Sequence, residues 1–215
     1  MSVLQIKVCG LCSAADARLA DRAGADYCGV ILSPRSKRSR TLKEARPIYE
    51  AIDDAQRVGV FVDEPLGLLL KARQELALDV IQLHGVETPA EVRALREQTG
   101  VRIWKALRPR SLEELQRGLE SYGDVAHGIL VDGWSSAGAG GTGAKADWTA
   151  AATLRSAVPA HVIYILAGGL DPVNIGGAIG TVRPDVVDVS SGVETEIGIK
   201  SAQLIAAFIA TARAA

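Results

Sequence analysis

Short apolar runs recur about every 25 residues, and between them the apolar positions switch to the three-to-four-residue spacing of an amphipathic helix. The runs Leu4–Val8, Asp26–Leu32, Arg57–Val62, Val80–Leu83, Val101–Ala106, Gly128–Val131, Val162–Leu166 and Val186–Val189 read as strands. Helix starts follow several of them. Ser13…Asp16, Thr41…Glu44, Thr88…Glu91 and Ser111…Glu114 have the spacing of a capping box, in which a hydroxyl meets the third helical N–H and an acid reaches back. Pro65 and Pro172 are expected at first helical positions, where a missing N–H does no harm.

Strands apolar on both faces, each followed by a helix, imply a parallel sheet covered by helices. About eight such units in 215 residues predict an α/β fold, a closed (β/α)8 TIM barrel forming a single domain over residues 1–215. An open doubly wound sheet has the same local periodicity and stands as the alternative. The Gly/Ala/Ser-rich stretch Ser135–Lys145 is the one break in the pattern.

Composition narrows the function. With 48% hydrophobic and 23% charged residues the chain has ample material for a core, which excludes disordered and fibrous classes. A net charge of −1 gives no field to draw it onto nucleic acid or an anionic membrane, and aromatics at 4% argue against base stacking. No apolar run approaches the ~20 residues of a membrane span, and Met1–Gln5 lacks the basic and apolar regions of a signal peptide, so the cytoplasm is expected. Three cysteines are too few for a disulfide framework, leaving a chemical role open for one thiol.

In a barrel of this kind the chemistry sits on the loops at the C-terminal ends of the strands. Cys9 stands there after the first strand, and Lys7, two residues earlier, points to the same side and favours a thiolate. Asp132 ends an apolar strand, where a carboxylate serves packing poorly, and is a candidate general acid or base. Asp188, inside another apolar strand, needs a partner or a purpose. His84 follows the fourth strand, as a catalytic group or a histidine bonded to its loop. The run Arg35–Arg40 is either a solvated loop or the source of a guanidinium, Arg38, that grips a carboxylate. Glycine-rich turns at Gly140–Gly143, Gly168–Gly169 and Ser190–Gly192 let backbone N–H groups approach an oxyanion, so a phosphorylated small molecule is the expected ligand.

Cys9 and Cys12 also form a C-x-x-C sequence that opens a helix, the local context of a redox centre, although such redox domains lack a string of eight βα units; mild oxidation is expected to link the two thiols unless Cys12 points into the packing between helix and barrel. No second cysteine pair or nearby histidine completes a zinc set. Cys28 reads as core, and His127 and His161, at strand starts, as structural.

Taken in order, Lys7–Gly10, Gly24–Asp26, Ser36–Arg38, Val58–Val62, Gln82–Gly85, Lys105–Ala106, Leu130–Asp132, Gly140–Gly143, Asp147–Trp148, Leu166–Leu170 with Pro172 and Asn174, Arg183–Pro184 and Asp188–Glu194 resemble the phosphoribosylanthranilate isomerase family of tryptophan biosynthesis. The resemblance spans nearly the whole chain. It implies a (β/α)8 barrel that needs no metal or organic cofactor, acts as monomer or homodimer, and isomerises an aminoaldose to an aminoketose by an Amadori rearrangement. Cys9 would be the general base and Asp132 the general acid, with Arg38 on the substrate carboxylate and Asp188, Lys7 and His84 in the same site. The backbone around Gly141, Thr142 and Gly143, Gly168 and Gly169, and Ser190, Ser191 and Gly192 would hold the phosphate. The chain departs from the usual family pattern at Val30, Leu32, Ala146 and Ile197–Ser201. A related sugar-phosphate isomerase, such as that of the histidine pathway, would be expected to carry an Asp at the end of the first strand. A phosphate-ligand binder would not need the acid.

Overall fold

Eight parallel strands follow one another around a closed barrel: β1 (Gln5–Cys9), β2 (Tyr27–Ile31), β3 (Gln56–Phe61), β4 (Val80–Leu83), β5 (Arg102–Leu107), β6 (Gly128–Val131), β7 (Ile163–Leu166) and β8 (Val186–Val189). This computed structural model describes residues 3–34, 36–133 and 148–215. Closure is direct: β8 pairs with β1 in the register Gln5↔Val186 to Val8↔Val189, which decides against the open sheet. Helices α1 (Ala14–Arg22), α2 (Leu42–Tyr49), α3 (Leu66–Leu76), α4 (Pro89–Thr99), α5 (Leu112–Tyr122), α6 (Trp148–Thr153), α7 (Ile175–Val182) and α8 (Ala202–Ala214) lie between and after the strands.

Each strand is apolar on both sides because both are covered. Outward residues such as Ile6, Val8, Cys28, Ile81, Ile103 and Ile129 pack with the helices in one cluster. Inward residues, among them Cys9, Tyr27, Val58, Val80, Trp104, Leu130, Ile165 and Val186, form a second cluster inside the barrel. There Tyr27 meets Trp104 edge to face, ring centroids 4.8 Å apart. Alternation along each strand therefore decides which residues reach the barrel mouth.

The caps are realised unequally. Thr41 and Thr88 form reciprocal capping boxes with Glu44 and Glu91. Ser13 and Ser111 accept from the N–H groups of Asp16 and Glu114, but the Glu114 carboxylate turns back to the N–H of Arg110 instead. Pro65 is the N-cap of α3, one residue before the helix. Pro172 lies further out: α7 starts at Ile175 because the Asp171 carboxylate takes the N–H groups of Val173 and Asn174 into a local turn. Replacing Thr88 with Ala is expected to lower stability by about 1 kcal/mol, read as a shift in the denaturation midpoint at unchanged slope.

After β8 the chain forms a hairpin that periodicity does not reveal, β9 (Glu194–Glu196) and β10 (Ile199–Lys200), turning at Gly198 with φ +84°. Among the described residues no helix is long and apolar enough to cross a membrane.

Candidate active site

The register of β1 against β8 puts Lys7 beside Asp188, and both side chains point inward. Lys7 Nζ lies 2.9 Å from each carboxylate oxygen of Asp188 and is fully buried. Cys9, two residues on, ends β1 on the same inward side. Its neighbour in β2 is Gly29, and a Cβ there would stand 3.0 Å from Cys9 Sγ and 3.3 Å from Lys7 Nζ. The missing side chain makes room for both groups. Burial alone would discharge Lys7, but Asp188 and Cys9 outweigh it and hold the ammonium above its ordinary range. Burial pushes the Cys9 thiol up, and Lys7 pulls it back only in part.

A second group of side chains comes from β4 and β6. His84 follows β4, and its Nε2 lies 3.1 Å from Asp132 Oδ2, while its Nδ1 lies 3.1 Å from the amide nitrogen of Gln82. The loop beneath is held firmly. His84 N–H donates to Phe61 O at 2.7 Å, and Glu87 accepts from the N–H groups of Gly85 and Asp63. Lys105, buried on β5, pairs with Glu87 at 3.1 Å and donates to Gly85 O at 2.8 Å. Asp132 N–H donates to Leu107 O, which fixes the start of its loop. His84 and Asp132 follow directly on β4 and β6, at the same end of the barrel at which Cys9 closes β1, so the two groups of side chains share one mouth.

Arg38 reaches the same mouth from the loop after β2. Its Nε and Nη2 grip Glu194 at 2.8 and 2.6 Å, a bidentate pair joining that loop to the hairpin after β8. Lys200 on β10 shares Glu194 Oε1 at 2.9 Å and donates to Ser190 O at 3.0 Å. Burial works against the Glu194 carboxylate, yet Arg38 and Lys200 outweigh it and hold it below the usual carboxylate range. Gly10, at φ +72°, leaves space that Arg38 uses: a Cβ there would stand 2.7 Å from Arg38 Cδ.

The late loops converge. Gly168, at φ +87°, packs so closely on the loop after β6 that a Cβ would lie 2.3 Å from Gly133 N and 3.0 Å from Asp132 Oδ1. A Cβ on Gly192 would strike Leu170 O at 1.9 Å, so the loops after β7 and β8 touch. The loops after β6, β7 and β8 thus meet one another. Gly141, Thr142 and Gly143 lie outside the described residues.

The two cysteines of the C-x-x-C sequence are free thiols with separate surroundings. Cys9 faces Lys7 and Gly29 inside the barrel, whereas Cys12 Sγ donates to the carbonyls of Gly10 and Arg38 and lies against Gly198. Among the described residues no three His, Cys, Asp or Glu side chains converge as metal ligands would. Glu194, Lys200, Gln82, Glu87 and Lys105 were given no role by the sequence. Glu194 was within sight as the acid closing the Asp188–Glu194 motif, and Gln82 as a polar residue inside an apolar strand.

A sequence model of the N-(5'-phosphoribosyl)anthranilate (PRA) isomerase family matches residues 6–211. The chain belongs to this family. N-(5'-phosphoribosyl)anthranilate isomerase of Azotobacter vinelandii is 39% identical over 214 residues, spanning 99% of both chains. That of Rubrobacter xylanophilus is 40% identical over 97% of this chain and 98% of its own. Among solved structures, the phosphoribosylanthranilate isomerase of Thermotoga maritima superposes with a TM-score of 0.88 at 33% identity, over 99% of this chain and 100% of that one. A phosphoribosylanthranilate isomerase crystallised with reduced 1-(o-carboxyphenylamino)-1-deoxyribulose 5-phosphate superposes with a TM-score of 0.86 at 32% identity, over 99% and 100% of the two chains. The eight-stranded closed barrel expected from the sequence is thus the fold of this isomerase family as well as of this chain.

Proposed function

We propose that this chain converts N-(5'-phosphoribosyl)anthranilate to 1-(2-carboxyphenylamino)-1-deoxyribulose 5-phosphate, an Amadori rearrangement in tryptophan biosynthesis. The observation that carries the reading is the pairing of chemistries at one mouth: a thiol beside a buried ammonium, and a carboxyl bonded to an imidazole. Asp132 gives its proton to the ribose ring oxygen, the C1–O bond breaks, and the anilino nitrogen supplies the electron pair for a cationic Schiff base. Cys9, as thiolate, takes the proton from C2. The C2–H electrons close a C1–C2 double bond, the iminium electrons return to nitrogen, and the enolamine then tautomerises to the ketone. A cationic imine already acidifies the adjacent C–H, so positioned acid and base suffice without metal or organic cofactor.

Arg38 meets the anthranilate carboxylate. Glu194 takes Nε and Nη2, so Nη1 is the nitrogen outside that pair, and the ion pair fixes the plane from which it points. Gly168–Gly169 and Ser190–Gly192, with Gly141, Thr142 and Gly143, cradle the phosphate through backbone N–H groups. We place the protein in the cytoplasm as a monomer or homodimer, with the phosphorylated sugar as its partner and neither nucleic acid nor membrane.

The direct test is turnover of phosphoribosylanthranilate, followed as loss of anthranilate-type fluorescence; a purified, folded protein that leaves the signal unchanged overturns the assignment. Arg38→Ala is expected to raise KM by ten- to a hundredfold with a smaller fall in kcat, in line with about 1.5–3 kcal/mol for a hydrogen bond to a charged group. Unchanged kinetic constants would make Arg38 a strut for the hairpin and nothing more.

A further inference from the structure

Gln82 is a polar residue where packing asks for none. It sits inside the barrel on β4, 1% exposed, paired in register with Val60 on one side and Trp104 on the other. Its amide oxygen finds no partner among the described residues, and its amide nitrogen has His84 Nδ1 at 3.1 Å. A buried amide left half unsatisfied is destabilising, and an apolar side chain of the same length would suit these neighbours better. What the glutamine supplies is a donor.

An amide NH2 can only donate, so the ring nitrogen it faces must be the bare one. His84 then carries its proton on Nε2, which lies 3.1 Å from Asp132 Oδ2. We infer that Gln82 is a positioning residue for the acid step: it locks His84 as the Nε2–H tautomer, so that His84 donates to Asp132 Oδ2 and leaves Oδ1 to bear the proton that goes to the substrate. This rests on the reading of Asp132 as the acid. Oδ1 is the oxygen that lies towards Gly168, on the edge assigned to the sugar phosphate. The opposite tautomer would present a bare Nε2 to Asp132, draw the acid's proton onto Oδ2, and hold it against the imidazole away from the sugar. Once Asp132 has given up its proton, the Nε2–H bond remains in place to steady the carboxylate.

The ring cannot easily choose otherwise, because its backbone is pinned. His84 N–H is held by Phe61 O, and Glu87 with Lys105 fixes the next residue, Gly85. The tautomer is therefore left to the Gln82 contact.

The test reads the tautomer without substrate and the kinetics with it. In 15N-labelled ligand-free protein the three histidines are resolved by their ring nitrogens; His127, whose Nδ1 accepts from Ile103 N–H at 3.0 Å, is an internal reference. In the neutral ring of His84 the wild-type protein is expected to show the proton on Nε2. Gln82→Met removes the donor, so both tautomers should appear and kcat should fall about tenfold, part of the ~10²–10⁴ that a positioned proton donor supplies, with KM within about twofold. Gln82→Glu offers an acceptor instead; it should draw a proton onto Nδ1 and lower kcat further, although Glu is the closer isostere. A proton on Nδ1 in the wild type overturns the inference. So does Gln82→Met with tautomer and kcat unchanged, or a loss of kcat with the tautomer intact, which would mark a packing role. If Gln82→Met does not fold, Gln82→Glu and the wild-type spectrum decide by the same criteria. Absence of turnover in the wild type would overturn the reaction itself, and the substrate-free spectrum separates that failure from this one.

Discussion

Cys9→Ser is expected to lower kcat by about 10²–10⁴-fold, the range that a positioned proton-transfer group supplies, while affinity for a reduced product analogue changes little. The substitution keeps the shape of the side chain in the space opposite Gly29, so contacts with Lys7 and the barrel wall persist. What it removes is the ionisable thiol. An ordinary thiol has a pKa of ~8.5; burial raises it here, and Lys7 limits the rise. The base form is the thiolate, and its pKa is raised, so alkylation at Cys9 in the ligand-free protein, read by mass spectrometry, should speed up from neutral into the alkaline range. A serine variant with near-normal turnover would remove Cys9 from the role of base.

The barrel was legible because its logic is local. Apolar runs such as Val80–Leu83 and Gly128–Val131 are buried on both faces and bounded by polar turns, so their limits match the observed strands. Where a neighbour or a side chain sets the limit, the reading shifts. β1 runs on to Cys9 because its register with Gly29 continues, and α7 starts late because Asp171 holds its own turn. β9 and β10, with three and two residues, are too short to show any period. Cys9 and Asp132 were readable as groups at C-terminal strand ends, Lys7 as the residue on the same side as Cys9, and Asp188 as a carboxylate inside an apolar strand. Their pairings were not, because Lys7 and Asp188 are 181 residues apart and Arg38 and Glu194 are 156 apart, and only closure of the barrel brings them together. Gln82 illustrates the remainder. Its place in the strand was visible, but its effect on His84 depends on which ring nitrogen it meets.

Asp132→Asn is expected to lower kcat by a similar ~10²–10⁴-fold, again with the reduced product analogue still bound, because an amide keeps the outline and has no proton to give. Its backbone anchor to Leu107 O should survive, and its side-chain oxygen can still accept from His84 at the place of Oδ2. The two variants should fail at different bonds. Asp132 acts when the ring opens, before the C2–H bond is touched, whereas Cys9 acts on that bond. With substrate deuterated at C2, Asp132→Asn should therefore show little isotope effect on kcat, since ring opening limits it. Cys9→Ser should show a large one, since C2 proton removal limits it. A large C2 isotope effect in Asp132→Asn would mean that ring opening proceeds without this carboxyl, and the acid would have to be sought elsewhere at the mouth.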